Sequence, residues 1–309
     1  MMKSVKVPVL LCLLAVLLFC ALFPSFVFAD ETVFYENEWG FVEDAMDITA
    51  GIPEDAGGRL GYIREKGLLR VATEPYFVPQ EFIDPSLSGQ AQYVGADMEL
   101  ARLIAERMGV ELEIVPMDFT QVLSSVAENT CDLAISALTF TTGRAAKAEF
   151  SKAYHYSGES AGSTLIIRKE NRNRIRSLSD LKDKALAAQR GSLQESLLAE
   201  RVFNYREFRR VLQVQDIYEA LSAREVDVGC VDQMSAQIYL DNNPKCGLML
   251  VPNVVFVMEE QYDGDRIAAR KGETELIAFV NGVINEVLDS GEYERWFFEY
   301  EKLAETLGY

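Results

Sequence analysis

A two-lobed α/β fold is what this sequence predicts, and three observations carry the prediction. Strand-like and helix-like segments alternate as β-α-β-α-β between Leu69 and Ala137, the pattern of a mostly parallel sheet. The alternation restarts at Gly162 and continues to the helix ending near Leu240. Two C-terminal helices, Glu273–Asp289 and Tyr293–Leu307, then carry so many apolar positions that they need a sheet to cover, and the first unit is short of covering elements. The chain is therefore expected to return to the first unit, with crossovers near 157–163 and 258–264. Two crossing strands make a hinge, and a hinge between two lobes makes a clamshell.

Residues 1–29 stand outside this fold. Lys3 and Lys6 precede an almost unbroken apolar run from Val7 to Phe28, and Val27 and Ala29 occupy the small-residue positions before a cleavage site. This is an export signal, expected to be cleaved after Ala29. The run is long enough to anchor the chain instead, but Pro24 and the acidic sequence that follows favour cleavage. Neither Cys12 nor Cys20 follows the small residue a lipoprotein signal requires. An extracytoplasmic or periplasmic location follows.

Residues 30–58 are acidic and aromatic, broken by Gly51, Pro53, Gly57 and Gly58, and read as a tether with one short helix. The first unit begins with a helical turn over Leu60–Leu68 and the strand Leu69–Thr73, followed by the loop Glu74–Gln80. Met98, Leu100, Ala101, Leu103, Ile104 and Met108 recur at helical spacing, predicting a helix over Tyr93–Val110. A strand Glu111–Pro116, a helix Phe119–Glu128 and a strand Asp132–Ala137 complete it. Its loops at 74–80, 117–121 and 137–144 gather at the carboxyl ends of the strands, where open α/β sheets bind ligands. In the second unit, strands are expected at Ser163–Arg168, Lys184–Gln189, about Arg209–Val214 and Val226–Val231. Helices are expected at Ser192–Arg201, Ile217–Glu225 and Gln233–Leu240. A strand Asp265–Arg270 leads back to the C-terminal helices. The predicted division is 59–160 plus 262–309 for lobe 1 and 161–261 for lobe 2.

Composition excludes several functions. The 309 residues include 30 basic and 48 acidic side chains, and loss of Lys3 and Lys6 with the signal deepens the negative charge. Nucleic acid, which requires a basic face, is an improbable partner. Cys131, Cys230 and Cys246 would remain after cleavage, with no framework or metal-ligand spacing; reduced, mostly buried thiols are expected. His155 is the one histidine, which removes Ser-His-Asp triads and Cys-His pairs, and it is expected at the surface. No metal or cofactor is expected, nor a catalytic residue.

The stretch Asp132–Arg144 ends a strand in hydroxyls (Ser136, Thr139, Thr141, Thr142), free backbone N–H groups and one guanidinium, Arg144. That combination receives a small anion, most naturally a carboxylate. An ordinary strand-to-helix turn, with Thr142 as N-cap and Arg144 solvated, is the alternative.

Seven segments then appear in a familiar order: Leu69–Pro79, Tyr93–Ala101, Met117–Thr120, Asp132–Arg144, Ala188–Glu195, Glu225–Asp232 and Asp289–Trp296. Over about 60–305 the chain resembles the family 3 solute-binding proteins, the periplasmic polar-amino-acid receptors of ABC importers. The resemblance implies a type II periplasmic-binding-protein clamshell that passes an amino acid to a membrane permease, and a monomer. It implies that Arg144 pairs with the ligand carboxylate, helped by Thr139, the backbone at Ala137, and Ser192 from the second lobe. Asp232 would hold the α-ammonium, and Phe77 and Phe119 would pack against the aliphatic body. Glu74, Gln189 and Gln194 would meet the side chain. The chemistry agrees, since a zwitterion needs a fixed cation and a fixed anion in a water-poor cleft. Glu74 favours a cationic or amide side chain, whereas Gln80, Ala137 and Leu193 depart from the family's usual residues and blur that preference. Alternatives stay open residue by residue: Glu74 as a solvated loop carboxylate, Asp232 and Ser192 as plain N-caps, Phe77 and Phe119 as core. Two other functions fit the same resemblance, a periplasmic enzyme of the prephenate (cyclohexadienyl) dehydratase kind and the ligand-binding part of a sensory system.

Overall fold

The apolar runs that offer solvent no polar face become the inner strands of two sheets. The computed structural model describes residues 36–38, 40–156, 162–256, 259 and 262–309. The export signal and its cleavage site lie outside these residues, as do most of the two predicted crossovers. The first sheet runs β4-β1-β5-β12-β6, with β1 at Leu68–Thr73, β4 at Glu111–Pro116, β5 at Leu133–Thr139, β6 at Ala148–His155 and β12 at Asp265–Arg270. β4, β1 and β5 are parallel, while β12 runs antiparallel to both β5 and β6. The second sheet runs β11-β7-β10-β8-β9, with β7 at Ser163–Arg168, β8 at Ala185–Gln189, β9 at Glu207–Val211, β10 at Val228–Asp232 and β11 at Leu248–Phe256. Edge strands β4 and β9 keep exposed positions along their length, whereas β8 is buried throughout. Each sheet supports one lobe.

Helices cover both faces. In the first lobe these are α1 (Gly58–Lys66), α2 (Ala96–Met108), α3 (Phe119–Ala127), the short α4 (Thr142–Ala145), α8 (Thr274–Ser290) and α9 (Glu292–Leu307). The second lobe carries α5 (Leu193–Arg201), α6 (Val214–Ser222) and α7 (Gln233–Asn242). The apolar stripe of α8, from Leu276 to Val287, meets Ile104 and Leu133 in one buried cluster of the first lobe. Among the described residues no helix is long and apolar enough to cross a membrane.

The structure departs from expectation in four places. Tyr93–Val94 is not the first turn of a helix but a strand, β3, paired with β2 at Phe82–Ile83; Gly95 at φ +126° ends it before α2 starts. Strands β6 and β11 have no counterpart among the strands expected from sequence. β6 carries Glu149, Ser151 and Lys152 among its apolar residues, and β11 contains Pro252 and a register shift after Leu250, so neither shows a clean period. His155 is buried, at 3% exposure. It ends β6, lies 3.1 Å from Glu294 through Nδ1 and stacks on Phe297. Finally, the acidic stretch before α1 is no tether over its described part. Val42 N–H donates to Phe150 O and Met46 N–H to Ala278 O, both at 2.8 Å. Buried Asn281 returns two bonds, to Val42 O and Asp44 O. The stretch is a strap pinned to α8.

Candidate functional site

Strand β5 delivers the middle of the site. Its apolar residues are buried to Ile135, after which Ser136 and Ala137 turn toward a cleft shared by both lobes. Ala137 sits at φ 43°, a region costly for a residue with a Cβ. Asp97 holds it there: Oδ2 accepts from Ala137 N–H at 2.9 Å and from the Tyr154 hydroxyl at 2.7 Å, while Oδ1 accepts from Tyr293 at 2.6 Å. The Ala137 amide is thus donated to Asp97 and is not free for a ligand carboxylate.

Arg144 follows one short helix later. Thr141, not Thr142, caps that helix, its hydroxyl accepting from Arg144 N–H. The guanidinium donates through Nη1 to Thr139 O at 2.7 Å and through Nη2 to Gly191 O of the second lobe at 3.1 Å. Two backbone carbonyls aim it, and no carboxylate among the described residues pairs with it. Burial lowers its pKa to about 10, so it stays charged at neutral pH. The Phe119 ring lies 5.4 Å away, beneath the same cation.

The second lobe supplies a matching set from its strand ends. Gln189 closes β8, and its amide donates to Leu212 O at 3.0 Å and to Glu74 Oε1 at 3.3 Å. Ser192 caps α5, accepting from Glu195 N–H while donating to Gln189 O. Gln194 donates to Ser163 Oγ. Asp232 ends β10 and caps α7 through Ser235 N–H at 2.8 Å. It is both an N-cap and a wall of the cleft. Desolvation raises its pKa to about 6 against those backbone donors.

Glu74 is not a solvated loop residue: only 3% of it is exposed. Burial first, then the nearby Asp118 charge, pushes its pKa up to about 8. Phe77 bridges to Glu81 through paired backbone bonds at 2.8 and 2.9 Å, which folds the 74–81 loop over the cleft. All ten side chains singled out from sequence, namely Glu74, Phe77, Phe119, Ala137, Thr139, Arg144, Gln189, Ser192, Gln194 and Asp232, line this one cavity. Sequence reasoning missed Glu81 and Asp265, which line it too. The available signal was position: Asp265 opens the strand that follows the second crossover, and a strand leaving a hinge starts at the cleft.

The cleft can hold a zwitterion. It offers one guanidinium to an anion and several carboxylates to cations, in a cleft where partial burial weakens screening by water.

Known proteins resemble the chain along most of its length. A model of the bacterial extracellular solute-binding proteins, family 3, matches residues 69–301. The arginine-binding extracellular protein ArtP of Bacillus subtilis (strain 168) is 29% identical over 269 residues, covering 84% of this chain and 98% of the relative. The L-cystine-binding protein TcyJ of Escherichia coli (strain K12) is 27% identical over 245 residues, covering 78% and 86%. Among solved structures, the amino acid ABC transporter substrate-binding protein AbpA from Streptococcus pneumoniae Canada MDR_19A, bound to L-arginine, matches with a TM-score of 0.70. Its identity is 32%, over 78% of this chain and 97% of that one.

Proposed function

The chain belongs to the bacterial extracellular solute-binding proteins of family 3, and from that premise we propose that it captures a free L-amino acid between its lobes and delivers it to an ABC importer's permease. The protein works outside the cytoplasm as a monomer, and a cationic side chain is preferred over an amide. One observation carries this reading: a single guanidinium, Arg144, shares the cleft with Glu74, Glu81, Asp232 and Asp265. One ligand carboxylate satisfies Arg144. The α-ammonium then answers Asp232, and buried Glu74 is left to meet the side chain. An amide gives Glu74 a hydrogen bond but no charge, whereas a guanidinium or ammonium gives both. The likeness to proteins named for arginine supports the same preference.

Arg144 and Asp232 reach one cavity from different lobes, so a zwitterion bonded to both favours the closed form by its extra affinity for it. Calorimetric titration against the twenty amino acids is expected to show tight binding of L-arginine or another cationic member. Arg144→Ala and Asp232→Ala should each weaken it by about 2–5 kcal/mol, the usual cost of stranding one partner of a buried charge pair. Binding by none of the twenty, or unchanged affinity in both variants, overturns the reading.

A further inference from the structure

Capture of an amino acid, the premise on which this inference rests, gives Arg144, Asp232 and Glu74 partners but leaves Gln80, Glu81 and Asp265 of the same cleft without a role. They are built in with care. Gly95 lets the turn that carries Gln80 and Glu81 settle on the start of α2, for a Cβ there would stand 2.1 Å from Gln80 O. That carbonyl accepts from Asp97 N–H at 2.9 Å. Glu81 is 1% exposed; Oε1 accepts from the Ser136 hydroxyl at 2.9 Å, while Oε2 has no hydrogen-bond partner. Gln80 is 5% exposed; its side chain lies close enough to Asp265 to lower that carboxyl's pKa, while Oε1 has no partner. A sheltered acceptor left unmade costs about 1–3 kcal/mol. Two such oxygens on the wall of an open cleft indicate a donor brought by the ligand.

The fold says which donor. Asp265 is paired in register with Thr139, whose carbonyl aims Arg144 at the ligand carboxylate. Asp232 is paired with Ser163, the first residue of β7 after the other crossover. Both acids thus stand at the strand ends next to the crossovers, close enough for the Asp232 charge to act on Asp265, and both line the cavity that Arg144 lines. Glu74 is bonded instead to Gln189 of the second lobe, whose amide also donates to Leu212 O. An ammonium carries three N–H donors and no acceptor, and one carboxylate cannot use all three.

We propose that Asp265 is a specificity-determining residue for the ligand's α-ammonium, receiving it from the first lobe while Asp232 receives it from the second, with Glu81 and Gln80 completing the acceptor set. The ammonium then bridges the lobes as the carboxylate does. A site built to accept from an N–H rejects the analogue that lacks it by a large factor, because its buried acceptors stay unpaired.

The test uses L-arginine and its analogue without the α-amino group, 5-guanidinopentanoic acid, titrated by calorimetry and, for weak binding, thermal shift. Wild-type protein should prefer L-arginine by a thousandfold or more. Asp265→Asn should weaken L-arginine at least tenfold and leave the analogue's affinity unchanged or improved. Should that variant fail to fold, Gln80→Met, which frees Asp265 from its amide, is expected to give a smaller loss confined to L-arginine. Wild-type affinity in Asp265→Asn, or equal losses for both ligands, overturns the assignment while losses in Arg144→Ala and Asp232→Ala leave the amino-acid reading standing. A wild-type protein that ignores L-arginine overturns both.

Discussion

Under the proposed function, Glu74 is the side chain on which the choice between a cation and an amide turns. It is buried, bonded to Gln189 and pushed up to a pKa of about 8, so a ligand cation changes its ionisation while a ligand amide need not. Glu74→Gln should therefore cost L-arginine roughly ten- to a hundredfold in affinity, the range for a hydrogen bond to a charged group. L-Glutamine should change by less, and comparative titration of the two reads the difference; equal losses would count against a charge at this position. The cleft was largely legible in the sequence because its members sit at or just past strand ends: Glu74 after β1, Arg144 after β5, Gln189 at the end of β8 and Ser192 after it, Asp232 at the end of β10. Glu81 and Asp265 escaped for a physical reason. Their surroundings are created by tertiary neighbours, Asp97 and Gly95 at Glu81 and the carboxylates of Asp97 and Asp232 near Asp265, and a lone acid in a loop or strand start reads as solvated.

At the scale of elements, strong patterns were read to within about three residues, and Glu111–Pro116, Ser163–Arg168 and Asp265–Arg270 match their strands end to end. Elements whose partners break their own pattern were not: β6 and β11, and the strap over residues 40–56. The strap shows why composition misleads. Its acids face outward, while Phe41 and Val42 are buried and Ile48 packs on the core of the first lobe. Burying two such side chains contributes about 1.5–3 kcal/mol each. What admits the strap lies far along the chain, on α8: Asn281 bonds to it twice, and Gly282 leaves room for it. A Cβ at 282 would stand 2.4 Å from Met46 O and 2.6 Å from Ile48 Cγ2. Gly282→Ala is accordingly expected to destabilise the protein by about 1–3 kcal/mol, as overpacking does, and to expose residues 43–50 to protease. A melting temperature and cleavage pattern identical to wild type would show that the strap tolerates the methyl. Amino-acid affinity should persist in this variant, because the strap packs on α8 and β6 rather than on the cleft.

Over the whole molecule, the cleft concentrates a negative balance that the chain already carries, and the consequence is a pH dependence with a definite sign. Burial, followed by the surrounding carboxylates, holds Glu74, Glu81 and Asp265 above the ordinary carboxyl range, and burial alone raises Asp232 to about 6. A carboxyl whose pKa is raised on folding contributes stability that is complete below its unfolded value and is lost as pH climbs through its folded value. For Glu74 that window runs from the ordinary 4.5 to about 8, and for Asp232 from 3.8 to about 6. Protein without ligand should melt at progressively lower temperature as pH rises from 5 to 8. A cationic amino acid reverses the trend, since its charges favour the ionised carboxylates and its binding expels their protons. The shift in melting temperature caused by L-arginine should therefore grow across the same window, on top of the logarithmic dependence on its concentration that any ligand of the folded state produces. Calorimetry in buffers of different ionisation enthalpy should show net proton release at pH 7. A shift independent of pH together with buffer-independent heat would mean that these carboxylates do not change ionisation when the ligand enters, and that Arg144 and Asp232 alone set the charge requirement of the site.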